Sequence, residues 1–295
     1  MKTAARAMQN QPLRGVMFMC LGIGCLVLNN TVSKLATADF PTGQIVWARY
    51  IAQMALGVIL LWPHRRDGAF WTDRPLLNLA RAACQFGSNL LSVFGLAYIP
   101  LATVQSIIAT APLMVAALAV PVLGERMGLR RWTAVLVGFA GAVMILRPGM
   151  GMLHWSALAV FAAAVSTAWY TVLTRKLSGS DRAATTLFLT GAAGTLVLMA
   201  VLPFVWVMPD AHGWLLLAGV GAFSSLGHFF LILAFRTAEV GIVAPFFYVQ
   251  VVFAGLLGLA VFGEVPDLWT CAGAAVIVAS GLYVTERERK VKARG

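Results

Sequence analysis

Val120-Pro121-Val122-Leu123-Gly124-Glu125 and Leu259-Ala260-Val261-Phe262-Gly263-Glu264 are two versions of one unit. Each closes an apolar run with Gly-Glu. Each is followed by a short polar link, a Trp-Thr pair (Trp132-Thr133 and Trp269-Thr270) and a second apolar run. That second run ends at Gly141 to Leu146 in the first copy and at Gly281 to Val284 in the second. The two Glu lie 139 positions apart in a chain of 295. A unit repeated at half the chain length points to two equivalent halves, and the kind of half is decided by composition.

The chain is 60% hydrophobic and 11% charged. A soluble domain carries about 25% charged residues, so there is too little polar surface here to cover a water-soluble body. Several apolar spans of about 20 residues fit within the length. The net charge of +11 would suggest nucleic acid in a soluble protein. Here the basic residues sit in links between apolar runs, the topology signal of a membrane protein, so nucleic acid is excluded as a partner. The expected partners are the lipid bilayer and a small-molecule solute, with the chain acting as a monomer or homodimer. The four cysteines, Cys20, Cys25, Cys84 and Cys271, all lie in apolar runs without metal-ligand spacing. They read as packing residues, and neither a metal nor a cofactor is expected. The N-terminus imitates a signal peptide, with Lys2, Arg6 and Arg14 before an apolar run and Ala36-Thr37-Ala38 after it. That run is long for such a segment and contains Asn29 and Asn30, so it reads as a retained first helix.

Ten apolar spans can be marked: 15–35, 43–62, 76–97, 101–123, 132–147, 155–174, 184–206, 214–235, 241–262 and 268–284. Backbone polar groups must be satisfied within each segment in lipid, so the spans are expected to be helices. Short links make neighbours antiparallel. Of the 22 Lys and Arg, all but Lys34, Arg49, Arg81 and Arg147 fall in alternate links or the tails. The positive-inside rule then puts both termini in the cytoplasm of a multi-pass protein of the cytoplasmic (inner) membrane. Five spans per half is an odd number, so the second half enters the membrane inverted. The links agree: Glu125 is followed by Arg126, Arg130 and Arg131, whereas Glu264 is followed by Asp267. The fold class expected is thus all-α integral membrane, ten transmembrane helices as two inverted five-helix repeats. Inverted repeats of this kind place a solute site near the midplane between the halves. Ser88 and Ala97-Tyr98 in the third span match Ser225 and Ala234-Phe235 in the eighth at a spacing of 137. On this count of spans, Glu125 and Glu264 fall at opposite surfaces and read as end-of-helix caps that mark the repeat.

Polar groups inside the spans are the candidate site, because they are costly in hydrocarbon unless they face the bundle interior or water. In the third span Arg81, Gln85, Ser88, Asn89 and Ser92 share one helical face. Cavity lining and a hydrogen-bonded helix contact are the two readings of that stripe. Arg49 and Arg81 each lie about 9 Å inside a span end. Each either ties helix ends internally or attracts an anionic or electron-rich solute. Smaller groups collect on other spans: Asn29 and Asn30; Gln105 with Ser106 and Thr110; Thr167, Tyr170, Thr171 and Thr174 with Trp169 beside them; Ser224, Ser225 and His228; Tyr248 and Gln250. Trp169, Tyr170, Phe229, Phe246, Phe247 and Tyr248 would suit a planar solute if they face a cavity. Pro112 and Pro245 can open their helices. All eleven Asp and Glu lie in links or tails, so the usual carboxylate for proton or sodium coupling is missing from the spans. An intramembrane enzyme would need a nucleophile and base, or a metal site, at depth. One deep His supplies neither.

The chain resembles the EamA family of the drug/metabolite transporter superfamily over nearly its whole length. Ala97-Tyr98-Ile99-Pro100-Leu101, Ala111-Pro112-Leu113 and Gly124-Glu125 look like the family's pattern in the first half. In the second half, Ala244-Pro245-Phe246-Phe247-Tyr248-Val249-Gln250 and Phe262-Gly263-Glu264-Val265-Pro266-Asp267 are similar to a subgroup that includes riboflavin and S-adenosylmethionine uptake proteins. Val251 stands where many members have Pro. The resemblance implies a carrier of alternating access with repeats over 15–148 and 151–284, a tail over 1–14 and a basic tail over 285–295. It also implies a central cavity lined by helices 1, 3, 4, 6, 8 and 9. The substrate-binding residues expected are Asn29, Asn30, Arg49, Arg81, Gln85, Ser88, Asn89, Gln105, Trp169, Tyr170, Ser225, His228, Tyr248 and Gln250. The best-fitting substrate is a cofactor-like aromatic such as riboflavin. The alternatives are S-adenosylmethionine uptake, export of amino acids or other metabolites, and a membrane scaffold without transport.

Overall fold

The computed structural model describes residues 12–67, 70–123, 128–146, 155–177, 181–238 and 240–292. Gly124, Glu125 and Arg126 of the first repeat unit lie outside the described residues, as does Arg147. Among the described residues the chain forms twelve α-helices and no strand. They are α1 (Pro12–Ala36), α2 (Thr42–Leu61), α3 (Pro75–Leu96), α4 (Leu101–Ile108), α5 (Ala111–Leu123) and α6 (Leu129–Leu146). The second half contributes α7 (Trp155–Leu177), α8 (Ala183–Met199), α9 (Ala211–Thr237), α10 (Val240–Val243), α11 (Val249–Phe262) and α12 (Leu268–Lys292). Every apolar span marked in the sequence is helical through most of its length. Among the described residues, eight helical stretches are long and apolar enough to cross a membrane. Helix α3 has the length but carries the polar face of Asn78, Arg81, Gln85, Ser88, Asn89 and Ser92, and α8 is short.

Two spans are broken. The fourth is split into α4 and α5 at Ala109-Thr110, where the Thr110 hydroxyl donates to the Ile107 carbonyl at 2.7 Å. The ninth begins as α10, tightens into a 3₁₀ turn over Ala244–Tyr248 around Pro245, and resumes as α11. The prolines 112 and 245 do not align in the repeat, yet the breaks themselves fall at corresponding places in the two halves. A turn of this kind frees carbonyls from the helical ladder, and Pro cannot supply the missing N–H.

Helix packing interleaves the halves. The most extensive contacts run between α1 and α9, α3 and α7, α2 and α8, and α6 and α12. In span order these are first with eighth, sixth with third, second with seventh, and fifth with tenth. Advancing every span by five returns the same set of pairs. Small residues permit the close approaches. An added Cβ on Gly141 would sit 2.8 Å from the Gly273 carbonyl oxygen, and one on Gly273 would sit 2.6 Å from that of Gly141. Both glycines therefore hold the α6–α12 crossing.

Caps fix the helix ends. Asp210 accepts from the Gly213 N–H at 2.7 Å to start α9, and Asp267 accepts from the Thr270 N–H at 2.7 Å to start α12. Gly263 ends α11 with φ of 65°, a left-handed conformation that favours glycine. Glu264 is more than a marker of the repeat. Its Oε2 accepts from the Leu101 N–H at 2.9 Å, capping α4 rather than its own helix. Its Oε1 pairs with Lys34 near the end of α1.

Candidate functional site

The polar faces of the helices meet around one central cavity of about 140 Å³. A cavity of about 150 Å³ holds a benzene ring, so this volume takes a ring-sized group. Its wall is built from α1, α2, α3, α4, α5, α6, α7, α9, the Ala244–Tyr248 turn, α11 and α12. The six helices implied by the resemblance are all present. Helices α2, α6 and α12 add Arg49, Arg131 and the pair Gly281 and Thr285.

On α1, Asn29 and Asn30 both reach the wall, with Asn29 anchored by a 2.6 Å bond from its Nδ2 to the Val220 carbonyl. Gln85, Ser88, Asn89 and Ser92 reach it from α3 and Gln105 from α4. The α3 stripe is therefore both a cavity wall and a helix contact. Ser88 and Thr167 hydroxyls lie 2.7 Å apart, and the Gln85 amide donates to Gln53 at 3.3 Å. Tyr170 lines the cavity from α7, His228 from α9, Tyr248 from the 3₁₀ turn and Gln250 from α11. The Tyr170 and His228 rings meet edge to face, their centroids 6.0 Å apart.

Arg49 is 3% exposed and is held by neutral oxygens. Its Nη2 donates to Ser33 Oγ at 2.7 Å and to Asn30 Oδ1 at 3.1 Å, and its Nη1 donates to Asn89 Oδ1 at 3.1 Å. Asn89 in turn donates to the Tyr50 hydroxyl at 2.9 Å. Several buried polar atoms on or beside the wall have no hydrogen-bond partner among the described residues: Arg49 Nε, His228 Nδ1, Tyr248 Oη and Gln250 Nε2. Buried polar groups are normally satisfied. Four of them gather around this one cavity, where a polar solute or water would satisfy them.

Three expected site residues are not brought to the wall. Arg81, 1% exposed, is enclosed behind Tyr170. Its guanidinium carbon lies 4.8 Å over that ring, and it donates to Thr174 Oγ1 at 2.9 Å and to the Thr190 hydroxyl. Those threonines give their own protons to Tyr170 and Thr186 carbonyls, so they face Arg81 as acceptors. Arg81 is a tie among α3, α7 and α8. Trp169 is 38% exposed and lies on the outside of the bundle, because it is one residue, about 100°, round from Tyr170 on the helix. Ser225 is buried and bonds the Gly221 carbonyl of its own helix at 2.7 Å. A short hydroxyl satisfied locally has no need of the cavity.

Arg131, Arg175 and Thr285 line the cavity without having been expected to. Arg175 had a legible signal, since Thr167, Thr171 and Arg175 are spaced i, i+4, i+8 on one face. Counted among the basic links, both arginines read only as topology signals.

Comparisons with known proteins concern the chain as a whole. The model of the EamA-like transporter family matches residues 13–147 and 154–285. An S-adenosylmethionine uptake transporter of Rickettsia prowazekii is 26% identical, with 94% of each chain covered. A riboflavin transporter of Vibrio cholerae is 28% identical over 98% of each chain. A pseudopaline exporter of Pseudomonas aeruginosa is 29% identical over 93% of this chain and 97% of the relative. A solved crystal structure at 19% identity superposes with a TM-score of 0.67, covering 93% of this chain and 98% of the other. This last likeness concerns the fold alone.

Proposed function

We propose, from the premise that the chain belongs to the EamA-like transporter family, that it moves a small organic metabolite across the cytoplasmic membrane by alternating access. The chain is a multi-pass membrane transporter. Its finer architecture is read as ten transmembrane helices in two inverted repeats, 15–148 and 151–284, with tails over 1–14 and 285–295 in the cytoplasm. The exchange of helix pairs when spans advance by five supports this reading, as do the breaks in the fourth and ninth spans. Broken helices at midplane are where such carriers bind their solutes.

The observation that carries the function is the closed set of polar side chains around a ring-sized cavity, four of their buried polar atoms unpartnered. Asn29, Asn30, Arg49, Gln85, Ser88, Asn89, Gln105, Tyr170, His228, Tyr248 and Gln250 form the substrate contact, and Arg81 holds it from behind. Tyr170, Phe235, Phe247 and Tyr248 line the cavity, and aromatic rings suit a planar solute. Together with the riboflavin transporter of Vibrio cholerae, they make uptake of a cofactor-like aromatic such as riboflavin the first substrate to test, with one ring of it filling the cavity in this conformation. S-adenosylmethionine uptake and metabolite export are the competing substrates and direction, each represented among the relatives.

The test is a thermal-shift screen of the solubilised protein against vitamins, nucleotides and amino acids, followed by flux in proteoliposomes. A true ligand raises the melting temperature by mass action, about 2.7 kcal/mol at a hundredfold excess over Kd. Riboflavin is expected to stabilise the protein and to exchange across the vesicle membrane. If riboflavin produces neither effect, that substrate is rejected, and the same plate identifies which class replaces it.

A further inference from the structure

We infer that the cavity receives an oxyanion, a carboxylate or phosphate carried by the solute, at Arg49. The inference rests on the carrier reading for its purpose and on side-chain chemistry for its content, and it ranks an anionic solute above riboflavin, which carries neither group.

The guanidinium of Arg49 is always charged and has no acceptor of its own. All three of its described hydrogen bonds go to neutral oxygens, and its Nε–H has no partner among the described residues. A buried ion is strongly disfavoured without a counter-charge. Among the described residues no Asp or Glu lines the cavity, whereas Arg49, Arg131 and Arg175 all do. Glu264 is engaged by Lys34 and is not part of the wall. A further guanidinium, Arg81, stands one ring behind the wall with neutral acceptors only. Arg49 thus brings to a low-dielectric cavity a positive charge that its described partners, all neutral, do not offset.

The neutral groups are biased the same way. The side-chain oxygens of Asn30 and Asn89 are turned to Arg49, and the Asn89 amide is occupied by Tyr50. The Gln250 amide and Tyr248 hydroxyl still have protons to give. A site rich in cations and donors recognises an acceptor, and charge-assisted bonds to an oxyanion are the stronger kind. A cationic solute would meet Arg49 across a low dielectric with no carboxylate on the wall to offset it. The cavity volume allows a ring-sized body behind the oxyanion.

Nicotinate and nicotinamide make a matched probe, one ring carrying a carboxylate or an amide, and phenyl phosphate supplies the phosphate arm. Binding to the solubilised full chain is read by thermal shift across concentration. At least one anion is expected to bind about tenfold more tightly than nicotinamide, with the gap narrowing as salt rises. The tighter anion tells carboxylate from phosphate. Arg49→Gln is expected to erase the gap and Arg49→Lys to keep part of it, because Lys retains the charge but not the planar fork. The idea is overturned if nicotinamide binds as well as both anions, if none of the three binds, or if the gap survives in Arg49→Gln. Should Arg49→Gln fail to fold, the wild-type ranking and its salt dependence decide alone. Riboflavin exchange with no preference for anions removes the oxyanion site and leaves the carrier. Arg49-dependent anion binding with no flux of any solute removes the carrier and leaves the site.

Discussion

Asn89 answers to two neighbours at once. Its oxygen holds Arg49 at 3.1 Å and its amide donates to the Tyr50 hydroxyl at 2.9 Å. Asn89→Ala removes both bonds and leaves a buried cation and a buried phenol short of partners, a cost of about 1–3 kcal/mol per orphaned group. Cys84 lies on the same helix, is only partly buried and is a free thiol. Cys84→Ala is expected to change stability by about 0.5 kcal/mol or less. In parallel melting and uptake assays, Asn89→Ala should lose both stability and flux while Cys84→Ala keeps both. Arg81→Ala should lose stability foremost, because Arg81 joins three helices away from the cavity wall. Equal effects from Asn89→Ala and Cys84→Ala would reduce the α3 stripe to ordinary packing. At this scale the sequence reads well where periodicity decides and poorly where depth decides. The spacing of Gln85, Ser88 and Asn89 marks a face, and the face does line the cavity. Spacing is silent on whether Arg81 reaches past Tyr170, since that depends on which ring lies between the guanidinium and the open space.

At the scale of elements, Glu264 changes meaning most. Sequence marks it as the end of an apolar run, and it does follow the left-handed Gly263 that ends α11. Its carboxylate instead joins three elements: the end of α1 through Lys34, the start of α4 through the Leu101 N–H, and its own link. Lys34 also donates to the Ile99 carbonyl at 3.0 Å. None of these residues lines the cavity, whereas Arg131, Arg175 and Thr285 carry the wall toward the other ends of the helices. The Lys34–Glu264 cluster is thus placed where a latch would have to open if the carrier works by alternating access. Glu264→Gln keeps the shape, weakens the pair with Lys34 and weakens the cap on α4 by about 1 kcal/mol. In a background lacking Cys20, Cys25, Cys84 and Cys271, Asn30→Cys should react faster with an impermeant maleimide from outside when Glu264→Gln is also present. An unchanged or slower rate would mean that the latch is a static brace. Sequence could not show this contact, because the residues that form it are separated by 230 and 163 positions and belong to different halves.

At the scale of the whole molecule, long-range ties recur in both halves. Gln44, at the start of α2, exchanges two hydrogen bonds with Val207 in the link after α8. Asp181, just before α8, accepts from Thr72 at 2.7 Å and from Asn78 at 2.6 Å, on the link after α2 and the start of α3. The start of the second span is bound to the link after the seventh, and the start of the seventh to the link after the second. These ties couple the two halves to each other at both ends of the α2–α8 pair, so any rocking must turn about that pair. The energy for that rocking is constrained by charge. Glu286, in the last turns of α12, is the acidic residue nearest in sequence to the wall, next to Thr285, and among the described residues the wall itself contains guanidiniums and one imidazole but no carboxylate. A proton- or sodium-driven carrier needs a group at depth whose charge changes with the coupling ion. Uptake into proteoliposomes is therefore expected to follow the solute gradient alone, to be accelerated by unlabelled solute on the far side, and to persist when ionophores collapse the pH and sodium gradients. Flux that vanishes with the pH gradient would instead assign the coupling to His228. In that case His228→Gln, which keeps a donor and an acceptor but cannot titrate near neutrality, should abolish the pH dependence while leaving exchange intact.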